Sequence, residues 1–144
     1  MAKRGILWTL IGGVCFFLLI QAVPYGRDHS NPPVVAEPKW DSAESRALAV
    51  RACYDCHSNE SVWPWYSNVA PFSWLIQRDV DGGRRRLNFS DWTSNTRRAD
   101  RLARALAEGQ MPPFYYVWMH PSAQLTTAEA AQLSSALSSF VASR

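Results

Sequence analysis

Residues 53–57 read Cys53-Tyr54-Asp55-Cys56-His57, and this C-x-x-C-H run decides what kind of chain surrounds it. Two thiols one helical turn apart can each add to a vinyl group on the same edge of a porphyrin. The adjacent imidazole can then swing beneath the ring and bind iron. The spacing therefore reads as a c-type haem attachment site. A thioredoxin-like redox pair has the same C-x-x-C core, but it needs a preceding strand and a βαβ setting. No strand-like alternation precedes Cys53. A tetrahedral zinc site needs further Cys or His ligands at suitable spacing, and outside the apolar N-terminus only His29 and His120 remain.

Around this run the domain reads as all-α. Asp41 with Glu44 makes a D-x-x-E capping pattern, followed by Ala43, Ala47, Leu48 and Val50 at helical spacing, and this helix runs into Cys53. A second helix is expected from Phe72 to Asp81, closed by Gly82 and Gly83. A third is expected from Asn95 to Glu108, stopped by Gly109. A fourth opens at Thr126, where Thr126 and Glu129 repeat the capping pattern, and carries Leu133, Ala136, Leu137 and Phe140 as an apolar stripe.

Upstream, Ile6 to Val23 is an apolar run with Gln21 as its one strongly polar member. Eighteen helical residues span roughly 27 Å, close to the hydrocarbon thickness of a bilayer. Lys3 and Arg4 before it should keep that end in the cytoplasm. A cleaved secretory signal is the competing reading, but no A-x-A site closes the run and Pro24 follows directly. Cys15 lies inside the run and is a poor lipidation site. The organisation expected is a transmembrane anchor over 1–23, a Pro-rich linker over 24–40, and a haem domain over 41–144. The linker, with Pro24, Pro32, Pro33 and Pro38, could reach roughly 50 Å if extended, leaving the domain's orientation free. Either reading of the apolar run exports the rest of the chain.

The chain has 144 residues, 47% hydrophobic and 19% charged, which is room for one domain and excludes a disordered one. With Lys3 and Arg4 set aside, 13 of the 15 basic residues face 12 acids, too even a balance for a nucleic-acid binder. Between Arg84 and Arg104 there are seven arginines against Asp91 and Asp100. Arg97, Arg101 and Arg104 fall on one helical face, either a solvated surface or a cationic patch that steers an acidic redox partner or anionic lipid head groups.

With His57 as one axial ligand, the second needs a candidate. Met111, in Gly109-Gln110-Met111-Pro112-Pro113, follows the third helix in a Pro-stiffened loop and is the first choice. Met119 and His120 are rivals in the same loop, and His120 is also a candidate hydrogen-bond donor to a haem propionate. Seven Trp in so short a chain suggest bulky filler around a flat cofactor. Trp63, Trp65, Tyr66 and Trp74 are expected to wall the haem edge rather than to stack nucleic acid. Asp55 and Glu60 lack the paired partner that acid–base catalysis requires and are expected to be solvated.

Helix, C-x-x-C-H, second helix, M-P-P and a last helix opening Leu125-Thr126-x-x-Glu129 together resemble a class I cytochrome c. The stretches Trp63 to Leu75, Asn88 to Trp92 and Met111 to Tyr115 are similar to those of a family of small exported bacterial proteins, the haem-binding domain family. The resemblance covers Ser42 to Phe140. It implies a cytochrome c-like fold and one covalent haem, and it brings no defined physiological role. By analogy with class I cytochromes, the backbone carbonyl of Pro71, or in its place that of Pro64, would accept the Nδ1–H of His57. The function expected is one-electron transfer between redox partner proteins outside the cytoplasmic membrane, without enzymatic activity. The alternatives are a haem enzyme or sensor with a displaceable distal ligand, or an accessory haem subunit of a respiratory complex.

Overall fold

An apolar helix at the N-terminus, α1 (Ala2–Ile20), buries none of its residues. It is long and apolar enough to cross a membrane, a test that a signal sequence also passes. This computed structural model describes residues 2–92 and 96–142, with side chains throughout except at 96–97 and 141–142. The remaining helices are α2 (Ala43–Ala52), α3 (Tyr54–His57), α4 (Phe72–Arg86), α5 (Thr96–Ala107), α6 (Phe114–Met119) and α7 (Thr127–Ala142). Short 3-10 turns lie at Trp65–Asn68 and Pro121–Ala123. Among the described residues the only β pairing is an isolated bridge between Ala36 and Asp91, so the chain is all-helical as expected.

Two units divide the chain. One comprises Met1–Ser30 and Trp63–Asp79, the other Asn31–Val62 and Val80–Arg144. In the second, α5 and α7 form the principal helix pair, and α2 packs on α7. Leu48, Leu102, Leu106, Leu133 and Leu137 meet there, with Ala49, Ala99 and Ala103 allowing close approach. Phe89 is sandwiched between Tyr54 at 5.3 Å and Trp92 at 5.9 Å, both nearly parallel to it. The first unit has no comparable core, and Ala70 is its one buried apolar side chain among the described residues.

The helix ends show where local sequence reading succeeds. Thr126 and Glu129 bond reciprocally, Glu129 N–H to Thr126 Oγ1 and Thr126 N–H to Glu129 Oε2, so the capping box at α7 is as expected. Helix α2 starts differently. Its cap is Ser42, whose hydroxyl accepts the Ser45 N–H at 3.0 Å, and not Asp41. Helix α4 runs to Arg86, through the two glycines expected to stop it. Gly83 is there for another reason: a Cβ on it would sit 2.2 Å from the carbonyl oxygen of Cys56. Helix α5 does end at a glycine. Gly109 has φ +68°, its N–H bonds to Leu106 O, and the Gln110 N–H reaches back to Ala105 O, a Schellman exit.

The Pro-rich stretch is not a free linker. Within the first unit, the Gln21 side chain pairs with Ala70 as a backbone strand would, donating to its carbonyl and accepting its N–H, both at 3.0 Å. Gly26, at φ +79°, lies against the Ser73 carbonyl, and His29 stacks on Trp63 at 4.7 Å. Within the second unit, Asn59 donates to Pro33 O, and the amides of Val35 and Ala36 donate to Ser90 O. Glu37 accepts from Arg46 at 2.8 Å and from Tyr54 at 2.6 Å. Prolines cannot donate, yet their carbonyls and the polar side chains between them still find partners.

Candidate functional site

Helix α2 breaks at Cys53, whose backbone (φ −130°, ψ −32°) both closes α2 and opens α3. The N–H groups of Cys56 and His57 fold back onto Cys53 O, at 3.2 and 2.8 Å, winding the motif into a single turn. Cys53 and Cys56 are not bridged to each other. Cys53 is buried, and burial together with the neighbouring Cys56 pushes its thiol up to about 12. A redox-active pair has the opposite shift, a thiolate stabilised near neutral pH, so the environment argues against thioredoxin-like exchange.

The backbone leaving α4 clips His57 at two points. The His57 Nδ1–H donates to Leu87 O at 3.0 Å, and the Phe89 N–H donates to His57 O at 2.7 Å. An imidazole nitrogen facing a carbonyl must carry the proton, so Nε2 carries the lone pair. Burial lowers the pKa of His57, against a smaller upward push from the Leu87 and Gly83 carbonyls. The ring is therefore neutral, in the tautomer that a metal ligand needs. The carbonyl expected for this bond was that of Pro71, with Pro64 as competitor. Pro71 O instead accepts the N–H groups of Trp74 and Leu75 at the start of α4, and Pro64 O accepts from Ser67. Leu87 was missed because a backbone acceptor leaves no mark in residue type.

A polar network holds the turn from below. Arg84 donates to Ser58 O, to Ser61 Oγ and to Asn31 Oδ1, while Asn88 and Ser90 bond Asn59. Arg84, from the expected cationic patch, is thus turned to structural use. In the same stretch Arg98 donates to Arg85 O, and Arg104 pairs with Asp100. Arg101 is exposed, and the Arg97 side chain lies outside the described residues. Asp55 is not the solvated acid expected from its position. One carboxylate oxygen accepts the Val62 N–H at 3.0 Å, and the other accepts the Tyr116 O–H at 2.6 Å. Glu60 is exposed.

Met111 follows the Schellman exit of α5 directly, its N–H on Ala105 O. It is half-buried and packs against the apolar cluster that includes Cys53 and Tyr54. Met119 is exposed. His120 closes α6: its backbone N–H reaches Tyr116 O, its Nδ1 lies 3.1 Å from the same oxygen, and its ring stacks on Tyr116 at 4.4 Å. Cys53, Cys56, His57 and Met111 all belong to the second unit.

Trp63, Trp65, Tyr66, Pro71 and Trp74 belong to the first. Trp65 and Pro71 are exposed, and Tyr66 lies edge-on to Trp65 and Phe72. The indole N–H groups of Trp63 and Trp74 and the Ser73 hydroxyl are buried with no hydrogen-bond partner among the described residues. Each such group costs stability unless an acceptor reaches it.

A neutral buried imidazole with its tautomer fixed, two unbridged thiols one turn apart, and a glycine admitting α4 against the motif together fit a haem. The chain matches the profile of a haem-binding domain over residues 15–139, a span that begins inside α1 and takes in the Pro-rich stretch. No curated protein and no solved structure shows significant similarity to it. With the match covering most of its length, the chain belongs to the haem-binding domain family.

Proposed function

We propose that this protein is a monohaem c-type cytochrome, cytochrome c-like in fold, that passes single electrons between redox partners outside the cytoplasmic membrane. The observation that carries the reading is His57, buried and held by Leu87 O in the metal-binding tautomer beside the two thiols of C-x-x-C-H. Cys53 and Cys56 would supply the two thioether links, His57 one axial ligand and Met111 the other. The haem, when bound, supplies a one-electron couple between ferric and ferrous iron. A thioether ligand and burial of the site both favour the ferrous form. Were His57 and Met111 both to hold the iron, no coordination position would stay open to O₂ or peroxide, which favours a carrier over an enzyme or sensor.

Helix α1 would anchor the protein as a single span. Its apolar part, residues 5–20, would reach roughly 24 Å, and Lys3 and Arg4 at its start would orient it with the haem domain on the far side of the membrane. Tethering confines the carrier near membrane-bound partners, a respiratory complex among them, and raises its effective concentration there.

Haem staining after denaturing electrophoresis tests the attachment. The native chain should keep its haem, and Cys53→Ala with Cys56→Ala should release all of it. Spectra of the reduced protein with and without carbon monoxide then test the carrier reading. Wild type should barely respond, and Met111→Ala should lose its sulfur-to-iron charge-transfer band and bind carbon monoxide. A wild-type protein that binds carbon monoxide readily would turn the reading toward an enzyme or sensor.

A further inference from the structure

Helix α6 has six residues and none of them is buried; Phe114 and Trp118 are 84% and 79% exposed. Packing therefore does little to hold this helix, yet it directly follows the Met111-Pro112-Pro113 loop. One tie to the rest of the unit is the Tyr116 hydroxyl, which donates at 2.6 Å to Asp55, 61 residues away and between the two cysteines. Asp55 is a fixed post. Its other carboxylate oxygen holds the Val62 N–H, and its backbone carbonyl accepts from the Ser61 hydroxyl at 2.6 Å. The Tyr116 ring is steadied by its stack on His120. At the opposite end of the loop, Gln110 and Met111 are pinned to Ala105 O. Met111 thus sits on a short loop tied down at both ends, once by backbone and once by a charge-assisted side-chain bond.

We propose that the Tyr116–Asp55 hydrogen bond is a latch that fixes the Met111 loop to the haem-attachment turn, making Tyr116 a positioning residue for the distal ligand. This rests on Met111 being that ligand. A neutral donor bonded to a carboxylate is strong enough that its loss should raise the population of the open loop by roughly tenfold to a hundredfold. The latch then sets how readily an outside ligand displaces the methionine, and so whether the site behaves as closed or exchangeable.

The test uses the full-length holoprotein. Tyr116→Phe keeps the ring and its stack and removes only the hydroxyl. It should leave haem covalently attached, weaken the sulfur-to-iron band, lower the reduction potential, and bind carbon monoxide roughly tenfold or more faster than wild type. Asp55→Ala should do the same, and the double variant should be no worse than Asp55→Ala alone, because both remove the Tyr116–Asp55 bond. Where Tyr116→Phe fails to accumulate holoprotein, Asp55→Ala supplies the reading. Met111→Ala separates the two ideas. If it abolishes the band while Tyr116→Phe and Asp55→Ala leave band, potential and carbon monoxide binding unchanged, the ligand stands and the latch is refuted. If Met111→Ala itself changes nothing, the ligand assignment falls and the latch with it.

Discussion

The two units solve the same problem by different means. In the second, leucines and alanines from α2, α5 and α7 exclude water over a continuous apolar core, and polar groups such as Arg84, Asn59 and Asn88 are bonded around the attachment turn. In the first, order comes from polar pairs and ring stacks: Gln21 on Ala70, His29 on Trp63, and Gly26 against Ser73. Buried donors that no described residue satisfies remain in both, on Trp63, Ser73 and Trp74 in the first and on the Trp40 indole in the second. Apolar burial contributes stability in proportion to area, whereas a hydrogen bond made on folding replaces one to water for a small net gain. The difference teaches that Cys53, Cys56, His57 and Met111, the residues proposed to hold the haem, sit in the unit with the continuous apolar core, and that the aromatic-rich unit is the softer one.

The sharpest way to break this contrast is a cavity. Leu137→Ala, at a fully buried position, should lower unfolding stability by about 2–5 kcal/mol in denaturant titration. Amides in 63–79 should exchange faster than those in α5 and α7 in the unmodified protein. Equal protection in both units would undo the comparison.

Glycines give a second test, smaller and with a sign. Gly83→Ala forces a methyl group onto the Cys56 backbone and should cost about 1–3 kcal/mol, with poorer haem incorporation. Gly82→Ala, one residue earlier in the same helix with open space at its Cβ, should stabilise by about 0.5–1 kcal/mol. Gly26→Ala meets the Ser73 carbonyl as closely and adds an unfavourable positive φ, but its effect should stay in the first unit and spare haem attachment. Similar denaturation midpoints for Gly82→Ala and Gly83→Ala would show that α4 does not press on the attachment turn.

The mildest effect sharpens the account of the Pro-rich stretch. Burial raises the carboxyl pKa of Glu37, but hydrogen bonds from Arg46 and Tyr54 outweigh it and hold the group below its ordinary value. A carboxylate depressed on folding adds stability that is fully present above its unfolded pKa and is lost as pH falls through the folded one. Glu37→Gln should therefore cost about 1 kcal/mol at pH 7, with Arg46 partly exposed and the pair partly screened. That gap should close on acidification through the carboxylate range, which paired denaturation curves at pH 7 and pH 3 would measure. A gap that persists at pH 3 would mean the Glu37 charge is not its source, and no gap at pH 7 would mean the Glu37 contacts contribute nothing.

Sequence alone determined what depends on neighbours in the chain. The periods of α5 and α7, the capping box at Thr126, the stop at Gly109, and C-x-x-C-H with Met111 in its proline-flanked loop are all patterns within a few residues, where type and spacing carry the physics. Tertiary structure decided what depends on pairs far apart. Leu87 rather than Pro71 meets His57, because any backbone carbonyl is equivalent in sequence and only packing selects one. Asp55 meets Tyr116 across 61 residues, and Gln21 meets Ala70 across 49, pairs that no periodicity announces. Gly83 marked a helix stop by local rules and became a point of close approach once Cys56 lay against it. The Pro-rich stretch read as a linker because composition records which donors are missing, and it is bound because its remaining carbonyls and side chains find acceptors and donors that only the fold brings near.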